Sequence, residues 1–481
     1  MFIKQTLLYL PANTIAPFFS ILAVVVWTHF LEPADLGRYS LIVAVQEFTF
    51  LFLLWWSTYT LRSLGEWNET ERQRRFRRTE GFVLFAVACV QVVVVAVLAV
   101  TAVDRSASVA LILASVFFAV SRSLVVYLAD RARTAQRIGL YTVLQISWSV
   151  FGFALGLSFV LMFGSSAVWP LLGTAIAQLS AAVYVMWRAG VRPFALCPDP
   201  EVIRAAAKFG LPLLGAALLT WIGMYGNRFI IEFFLGHAAV GQYLAGTELA
   251  ERGTFFAITL AGSATLPLAI QEMRESGVTA GMRRLKTGSI AVLGLMIPTA
   301  VGITVLAVPI SQVLIGSAYR DVSAMLLPVA AWSGAVYGTW CALPAQALIL
   351  LKRTWLPVVA SAATAILTVL FTVILIQRFG IVGAAYARLS ALSIPFIAIC
   401  YICVSRFGML VPGRELVRML VCAAFMAAVL HAIPQPGTLL GLAAVIALGA
   451  VIYLSTAALL FRNEIRPVAA RWRVKLAERK S

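Results

Sequence analysis

Apolar runs of about twenty residues follow one another along almost the whole of this sequence, and each is long enough to cross a hydrocarbon core roughly 30 Å thick. No water is available in such a core to satisfy exposed peptide groups, so a chain of this kind must fold as helices or as a closed barrel, and continuous apolar runs select helices. The segmentation predicts an all-α integral membrane protein of about fourteen transmembrane helices, near 5–29, 39–61, 81–103, 108–129, 141–163, 168–187, 211–235, 240–261, 288–310, 323–350, 354–377, 383–404, 419–433 and 438–461. Of the 481 residues, 61% are hydrophobic and 12% charged, whereas a soluble domain carries about 25% charged residues. The first apolar run, Leu7 to Leu31, is too long for a signal-peptide core and has no small-residue cleavage site, so it is expected to remain as a span.

The net charge of +18 invites a nucleic-acid reading, but its distribution opposes one. Of the 38 Lys and Arg residues, 30 fall on the side that holds the N-terminus, in the segments 62–80, 130–140, 188–208, 267–287, 352–353, 405–418 and 462–481 and at Lys4. Basic residues are retained in the cytoplasm, so both termini are expected there. The basic tail 462–481 is also suited to anionic lipid head groups. Nucleic acid is not an expected partner. Cys400 and Cys403 form C-x-x-C inside an apolar helix, without the βαβ setting of a redox motif.

An internal repeat organises the chain. Phe30-Leu-Glu-Pro-Ala-Asp-Leu-Gly-Arg-Tyr39 returns as Phe234-Leu-Gly-His-Ala-Ala-Val-Gly-Gln-Tyr243, with five of ten positions identical at an offset of 204. The same offset sets Glu47 opposite Glu251, and Ala177–Ala181 resembles Ala387–Ala391. Six spans separate the copies, an even number, which implies a parallel repeat. The expected organisation is an N-lobe over 1–187 (spans 1–6), a cytoplasmic linker over 188–209, a C-lobe over 210–404 (spans 7–12), an appended pair of spans over 405–461, and the tail 462–481. Asp199-Pro200-Glu201 reads as a helix start. Prolines such as Pro212, Pro298, Pro328 and Pro395 are either packing irregularities or hinge points. Gly152-x-x-x-Gly156 and Gly334-x-x-x-Gly338 permit close helix approach.

Charges inside spans cost about 2.5–3.5 kcal/mol or more at a helix centre, so they point to a protein interior or a wet cavity. They are Glu47, Arg122, Arg228, Glu232, Glu248, Glu251, Arg252 and Arg388. Arg228 with Glu232, and Glu248 with Arg252, are four apart and can pair on one helix face, either as fixed salt bridges or as parts of a functional site. Arg388 is close enough to a span end to be expected to snorkel to the interface. A mixed-charge cavity suits an amphiphile with an anionic head, because the arginine fork matches phosphate. Arg228, Arg252, Arg122 and Arg62 are the candidate head-group ligands, and Glu47, Glu251, Glu248 and Glu232 the candidate cavity carboxylates. A proton or sodium ion could couple to Glu47 or Glu251; no other cofactor, no metal and no catalytic residue is expected. There is no Gly-rich phosphate loop and no H-E-x-x-H, so an enzyme is not expected. His29, His237 and His431 lie near span ends, where structural roles are the default.

Leu31-Glu-Pro-Ala-Asp-Leu-Gly37-Arg-Tyr39, Gly210-Leu-Pro212, Asn227-Arg228-Phe-Ile-Ile231 and Val240-Gly-Gln-Tyr243 together resemble the Wzx-type polysaccharide and O-antigen flippases of the multidrug/oligosaccharidyl-lipid/polysaccharide exporter superfamily. The resemblance implies two six-helix lobes, a cavity lined by spans 1, 2, 7 and 8, and alternating access. It also implies an oligosaccharide on an undecaprenyl pyrophosphate carrier as substrate, moved across the bacterial inner membrane for lipopolysaccharide, O-antigen or exopolysaccharide synthesis. Membrane lipids are the expected surroundings, and glycan polymerase or export proteins the candidate partners. Arg62 matches a frequent family arginine, while Asn227 stands where members often have Asp, and His29 where many carry a basic residue. A multidrug/cation antiporter of the same fold is the alternative. A membrane glycosyltransferase or polymerase would need a sizeable periplasmic domain, which this chain lacks.

Overall fold

The computed structural model describes residues 2–63, 70–189, 198–262 and 265–462. For 2–14, 62–63, 70–74 and 256–262 the course of the backbone alone is described. Residues 190–197 of the expected linker and nearly all of the basic tail lie outside these residues.

Among the described residues sixteen α-helices follow in chain order: α1 (Phe2–Phe30), α2 (Pro33–Ser63), α3 (Thr70–Leu98), α4 (Val109–Thr134), α5 (Ile138–Ile146), α6 (Gly152–Phe163), α7 (Val168–Ala189), α8 (Pro200–Gly262), α9 (Thr265–Ser276), α10 (Val278–Val305), α11 (Ala307–Leu314), α12 (Arg320–Ala342), α13 (Pro344–Leu350), α14 (Trp355–Phe407), α15 (Gly413–Ala432) and α16 (Leu439–Leu460). Among the described residues eleven helical stretches are long and apolar enough to cross a membrane. Two of them break, α8 at Gly236 (φ 79°) and α14 at Gly380 (φ 57°), in a region of backbone space that glycine enters without a Cβ penalty. With the apolar part of α1, Ile15–Phe30, this gives the fourteen expected crossings. The protein is a multi-pass, all-helical membrane protein. Large apolar side chains such as Phe18, Leu161, Phe233 and Leu440 stand exposed on it, as a lipid-facing surface allows and a water-facing one would not.

Among the described residues two π-helical turns interrupt the regular ladder, Ala99–Val103 after α3 and Ser147–Phe151 between α5 and α6. Such turns splay neighbouring side chains apart and concentrate at functional sites. Helix α8 starts where the sequence places it: Asp199 Oδ1 accepts from Glu201 N at 2.9 Å, and Pro200 opens the first turn.

The chain separates into two compact units, one of Met1–Glu248, Gly316–Tyr319 and Val358–Ala391, the other of Leu249–Ile315, Arg320–Pro357 and Leu392–Ser481. In the first, Trp56, stacked on Phe76 at 5.3 Å, joins Leu53, Tyr127, Leu128 and Leu144 in a closed core. Here the small-residue motif of α6 serves internal packing. A Cβ at Gly173 of α7 would overlap the backbone at Gly156, and one at Gly156 would lie 3.1 Å from Pro170 Cα. Without a hydrophobic drive between helices in lipid, this close van der Waals contact is what holds them. In the second unit α10, α12, α15 and α16 share a core around Met296, Leu327, Met426 and Tyr453. Gly334 of α12 sits against Thr254 and the Glu251 backbone of α8.

The two copies of the repeated loop motif meet inside the first unit. A Cβ at Gly37 would overlap the carbonyl oxygen of His237, and one at Gly241 that of Pro33. Gly37 and Gly241 correspond at the offset of 204, as do Pro33 and His237, so the contact is reciprocal about the repeat. Beside it, Arg38 Nε bonds Asp104 Oδ2 at 2.7 Å and Arg38 Nη1 reaches Asp35 Oδ1 at 3.2 Å. Burial acts to raise the Asp104 carboxyl, but hydrogen bonds from Ser106 and Arg38 outweigh it, and the group is held below its ordinary value of 3.8. A depressed carboxylate stabilises the fold above that ordinary value and ceases to do so as pH falls through the folded one. Asp104→Asn is therefore expected to melt earlier than wild type at pH 7. That gap should close below about pH 3.8, as thermal unfolding in detergent at several pH values will read.

Candidate functional site

Four of the intramembrane ionisable groups gather in the first unit. Helix α2 supplies Glu47, α4 supplies Arg122, and α8 supplies Arg228 before its break and Glu248 after it. The break at Gly236 brings the two arms of α8 side by side, and Arg228 Nη2 donates to Glu248 Oε1 at 2.7 Å. The other terminal nitrogen donates to Ser40 Oγ at 3.1 Å and to its carbonyl at 3.3 Å, and the guanidinium lies 4.9 Å from the Tyr225 ring centre. Arg228 is 7% exposed. Asn227, next to it, donates to Tyr243 Oη at 2.8 Å, and its buried Oδ1 has no hydrogen-bond partner among the described residues.

Glu47 is half-buried one helix away, and the positive charges that act on it are those of Arg122 and Arg228. Arg122, also half-buried, lies over the Trp148 ring at 4.4 Å. Trp148 sits in the π-helical turn, where its Nε1 donates to Gln145 Oε1 at 2.8 Å, which fixes the ring face under the guanidinium. Helix α8 is seated on α2 around this set by Trp221, whose Nε1 donates to the Ala44 carbonyl at 2.9 Å and whose ring meets Phe48 at 5.1 Å. The result is two arginines and two carboxylates, formally neutral, with Arg228 and Glu248 in a direct ion pair and Glu47 within the influence of both arginines.

The remaining candidates are placed elsewhere. Glu232 does not pair with Arg228 as its spacing suggested. It lies 3.6 Å from His237 Nδ1, because the arginine fork is taken by a carboxylate from the next helical arm. His237 in turn bonds the Val103 carbonyl through Nε2 at 2.6 Å, a structural role. Glu251 and Arg252 are half-buried in the second unit. Arg62 is in the last turn of α2, and its side chain lies outside the described residues. Arg388 corrects the expectation that it snorkels: it is 6% exposed, and Nη1 points inward to the carbonyls of Gly223 and Met224, both at 3.4 Å. These carbonyls lie on α8, which also carries the proline at 212.

Sequence reasoning missed a second polar cluster. Tyr127 Oη donates to Glu80 Oε1 at 2.6 Å and accepts from Trp56 Nε1 at 3.2 Å, while Arg131 Nε lies 2.8 Å from the same carboxylate oxygen. Glu80 is fully buried. The available signal was its place at the very start of an apolar run, directly before Gly81. No group of three or more His, Cys, Asp or Glu side chains able to hold a metal occurs among the described residues.

A family model described as "Polysaccharide biosynthesis protein" matches residues 2–273. No curated protein matches the sequence. Among solved structures, the lipid II flippase MurJ in an inward closed conformation superposes with a TM-score of 0.75 at 13% identity, covering 96% of this chain and all of that one. An inward-facing multidrug resistance MATE family transporter of the MOP superfamily gives 0.55 at 12% identity, covering 83% of this chain and 99% of its own. A Vibrio cholerae MATE transporter gives 0.54 at 16% identity, covering 84% and 96%. At these identities the likeness is one of fold.

Proposed function

Because this chain belongs to the polysaccharide biosynthesis protein family, we propose that it translocates an oligosaccharide carried on undecaprenyl pyrophosphate from the cytoplasmic to the periplasmic leaflet of a bacterial inner membrane, by alternating access. The observation that supports this most is the set of Glu47, Arg122, Arg228 and Glu248 held within apolar spans. Two six-helix lobes related by the repeat, with both termini cytoplasmic, are part of the same reading, as are the roles of Arg252, Glu251, Glu232 and Arg62 along the path.

The charge count suggests how such a set would work. At rest the two arginines are matched by the two carboxylates. A pyrophosphate that takes the arginine forks leaves Glu47 and Glu248 facing added negative charge in a site with little water, where like charges repel strongly. The carboxylates then relax by taking up a proton or a sodium ion, which ties head-group binding to an ion gradient. A cation/drug antiporter draws support from the MATE-like fold, but a set with as many arginines as carboxylates has no surplus negative charge to offer a cation.

The test is complementation of a strain that needs its own flippase, with surface polymer as readout. Glu47→Gln is expected to leave the protein abundant in the membrane while export loses its dependence on pH or Na⁺. Unchanged dependence rejects the coupling. Normal polymer from Arg122→Gln and Arg228→Gln, singly and together, rejects the head-group site.

A further inference from the structure

On the side of the molecule that carries most of the lysines and arginines, a cavity of about 120 Å³ opens where four helices end or begin. It is walled by Phe76 and Arg77 from α3, Leu128 and Arg131 from α4, Arg137 from the following turn, and Val185 from α7, among others. Three of its described lining residues are arginines and none is acidic. We propose that this cavity is a binding site for the phosphodiester of an anionic bilayer phospholipid, separate from the Glu47–Arg228 set.

The chemistry is set by Arg131. Its side chain is only 10% exposed, and Nε stands 2.8 Å from Glu80 Oε1, an ion-pair contact whose angle falls short of a hydrogen bond. The two terminal nitrogens carry four further N–H donors, and no hydrogen bond from them is found among the described residues. A guanidinium held by one edge, with its fork at the wall of a cavity, is the arrangement that receives two oxygens of one phosphate. Arg77 and Arg137 are exposed and able to fold over a bound anion, and Arg137 Nη1 donates to the carbonyl of Arg188 at 3.3 Å. Among the described lining residues the positive charge is in excess, three arginines and no acid, with Glu80 behind Arg131 offsetting one of them.

Depth selects a lipid over a soluble anion. The lining residues stand at the ends of the membrane-length stretches Arg75–Val103, Val109–Thr134, Ile138–Phe163 and Val168–Ala189, which is the level of the head groups. Trp187 (74% exposed) and Tyr184 project from α7 at the same level, as aromatic residues do in the interfacial belt. Phe76, Leu128 and Val185 give the cavity an apolar wall for the glycerol and first methylenes. The volume suits a phosphate and its esters, and not an oligosaccharide. Basic pockets between spans on such a face are recognised receivers of lipid head groups.

The site also has a built-in reporter. A phosphate on Arg131 competes with Glu80, and Glu80 is held by Tyr127, which is held by Trp56 of α2. The experiment uses the full-length protein in neutral detergent, titrated with phosphatidylglycerol, phosphatidylcholine, undecaprenyl phosphate or inorganic phosphate, with bound lipid counted by native mass spectrometry. Phosphatidylglycerol is expected to be retained over phosphatidylcholine. Arg77→Gln/Arg137→Gln, both at exposed positions, should lower that retention about tenfold with an unchanged melting temperature. Glu80→Gln, which releases Arg131, should raise it. Equal retention by the double variant and wild type overturns the proposal. So does saturation by inorganic phosphate at the same concentration, which would make the cavity a soluble-anion site, or a preference for undecaprenyl phosphate, which would make it part of the substrate path.

Discussion

Gly37→Ala and Gly241→Ala are each expected to abolish polymer export. The added methyl group has nowhere to go: at Gly37 it would overlap the His237 carbonyl oxygen, with Gly241 N at 3.2 Å, and at Gly241 it would overlap the Pro33 carbonyl oxygen, with Gly37 N at 3.0 Å. Overpacking against a flexible side chain typically costs about 1–3 kcal/mol. Here the obstacle is backbone on both sides, anchored by the Arg38–Asp104 ion pair and by the His237–Val103 bond, so relief requires moving helices apart. Gly215→Ala and Gly302→Ala serve as controls, since a Cβ at either meets nothing within 4 Å. Membrane abundance separates two ways of failing. Should the contact persist through the cycle, the variants will be degraded. A contact that forms and breaks would leave them abundant and idle. Normal export from either variant would show that the close approach is dispensable.

That contact also marks how far the sequence could be read. The fourteen crossings were legible because hydropathy is a local property, and the helix start at Pro200 because capping chemistry is local too. The repeat was visible as five identities in ten residues, but nothing in a one-dimensional match says that the two copies touch, or that their glycines exist for each other. The same limit explains the ion pairs. Spacing offered Arg228 the carboxylate four residues on, and the fold gave it one twenty residues on, because the break at Gly236 turns sequence distance into spatial proximity. Arg388 was misread for a related reason. Its distance from the span end allowed snorkelling, while the face of α14 on which it sits, which hydropathy does not encode, turned it toward the carbonyls of α8. Glu80 was counted with a basic loop, yet α3 begins ten residues earlier, at Thr70, and carries it into a closed core.

The second large effect is expected at Arg228, where single and paired substitutions should part company. Removing the guanidinium alone, as in Arg228→Gln, takes from Glu248 its 2.7 Å ion-pair contact and from Ser40 its donor in a largely buried place. Breaking one side of a buried pair costs about 3–5 kcal/mol, because the remaining charge loses its ion-pair contact where little water replaces it. Low abundance and no export are therefore expected, and that result alone would not tell support from transport. Arg228→Gln/Glu248→Gln removes both charges and lets two amides bond each other. Neutralising a buried pair together is often nearly neutral for stability, so abundance and melting temperature should recover. Were the pair only a brace, export would recover with them. If Arg228 meets the anionic head group, the double variant stays folded and silent, because no neutral amide replaces a cation facing pyrophosphate in a low-dielectric site. The expected outcome is the second: stability within a few degrees of wild type, and surface polymer at the level of the deletion strain. Recovery of both in the same double variant would remove Arg228 from the substrate path and leave Arg122, over Trp148, as the cation to examine next.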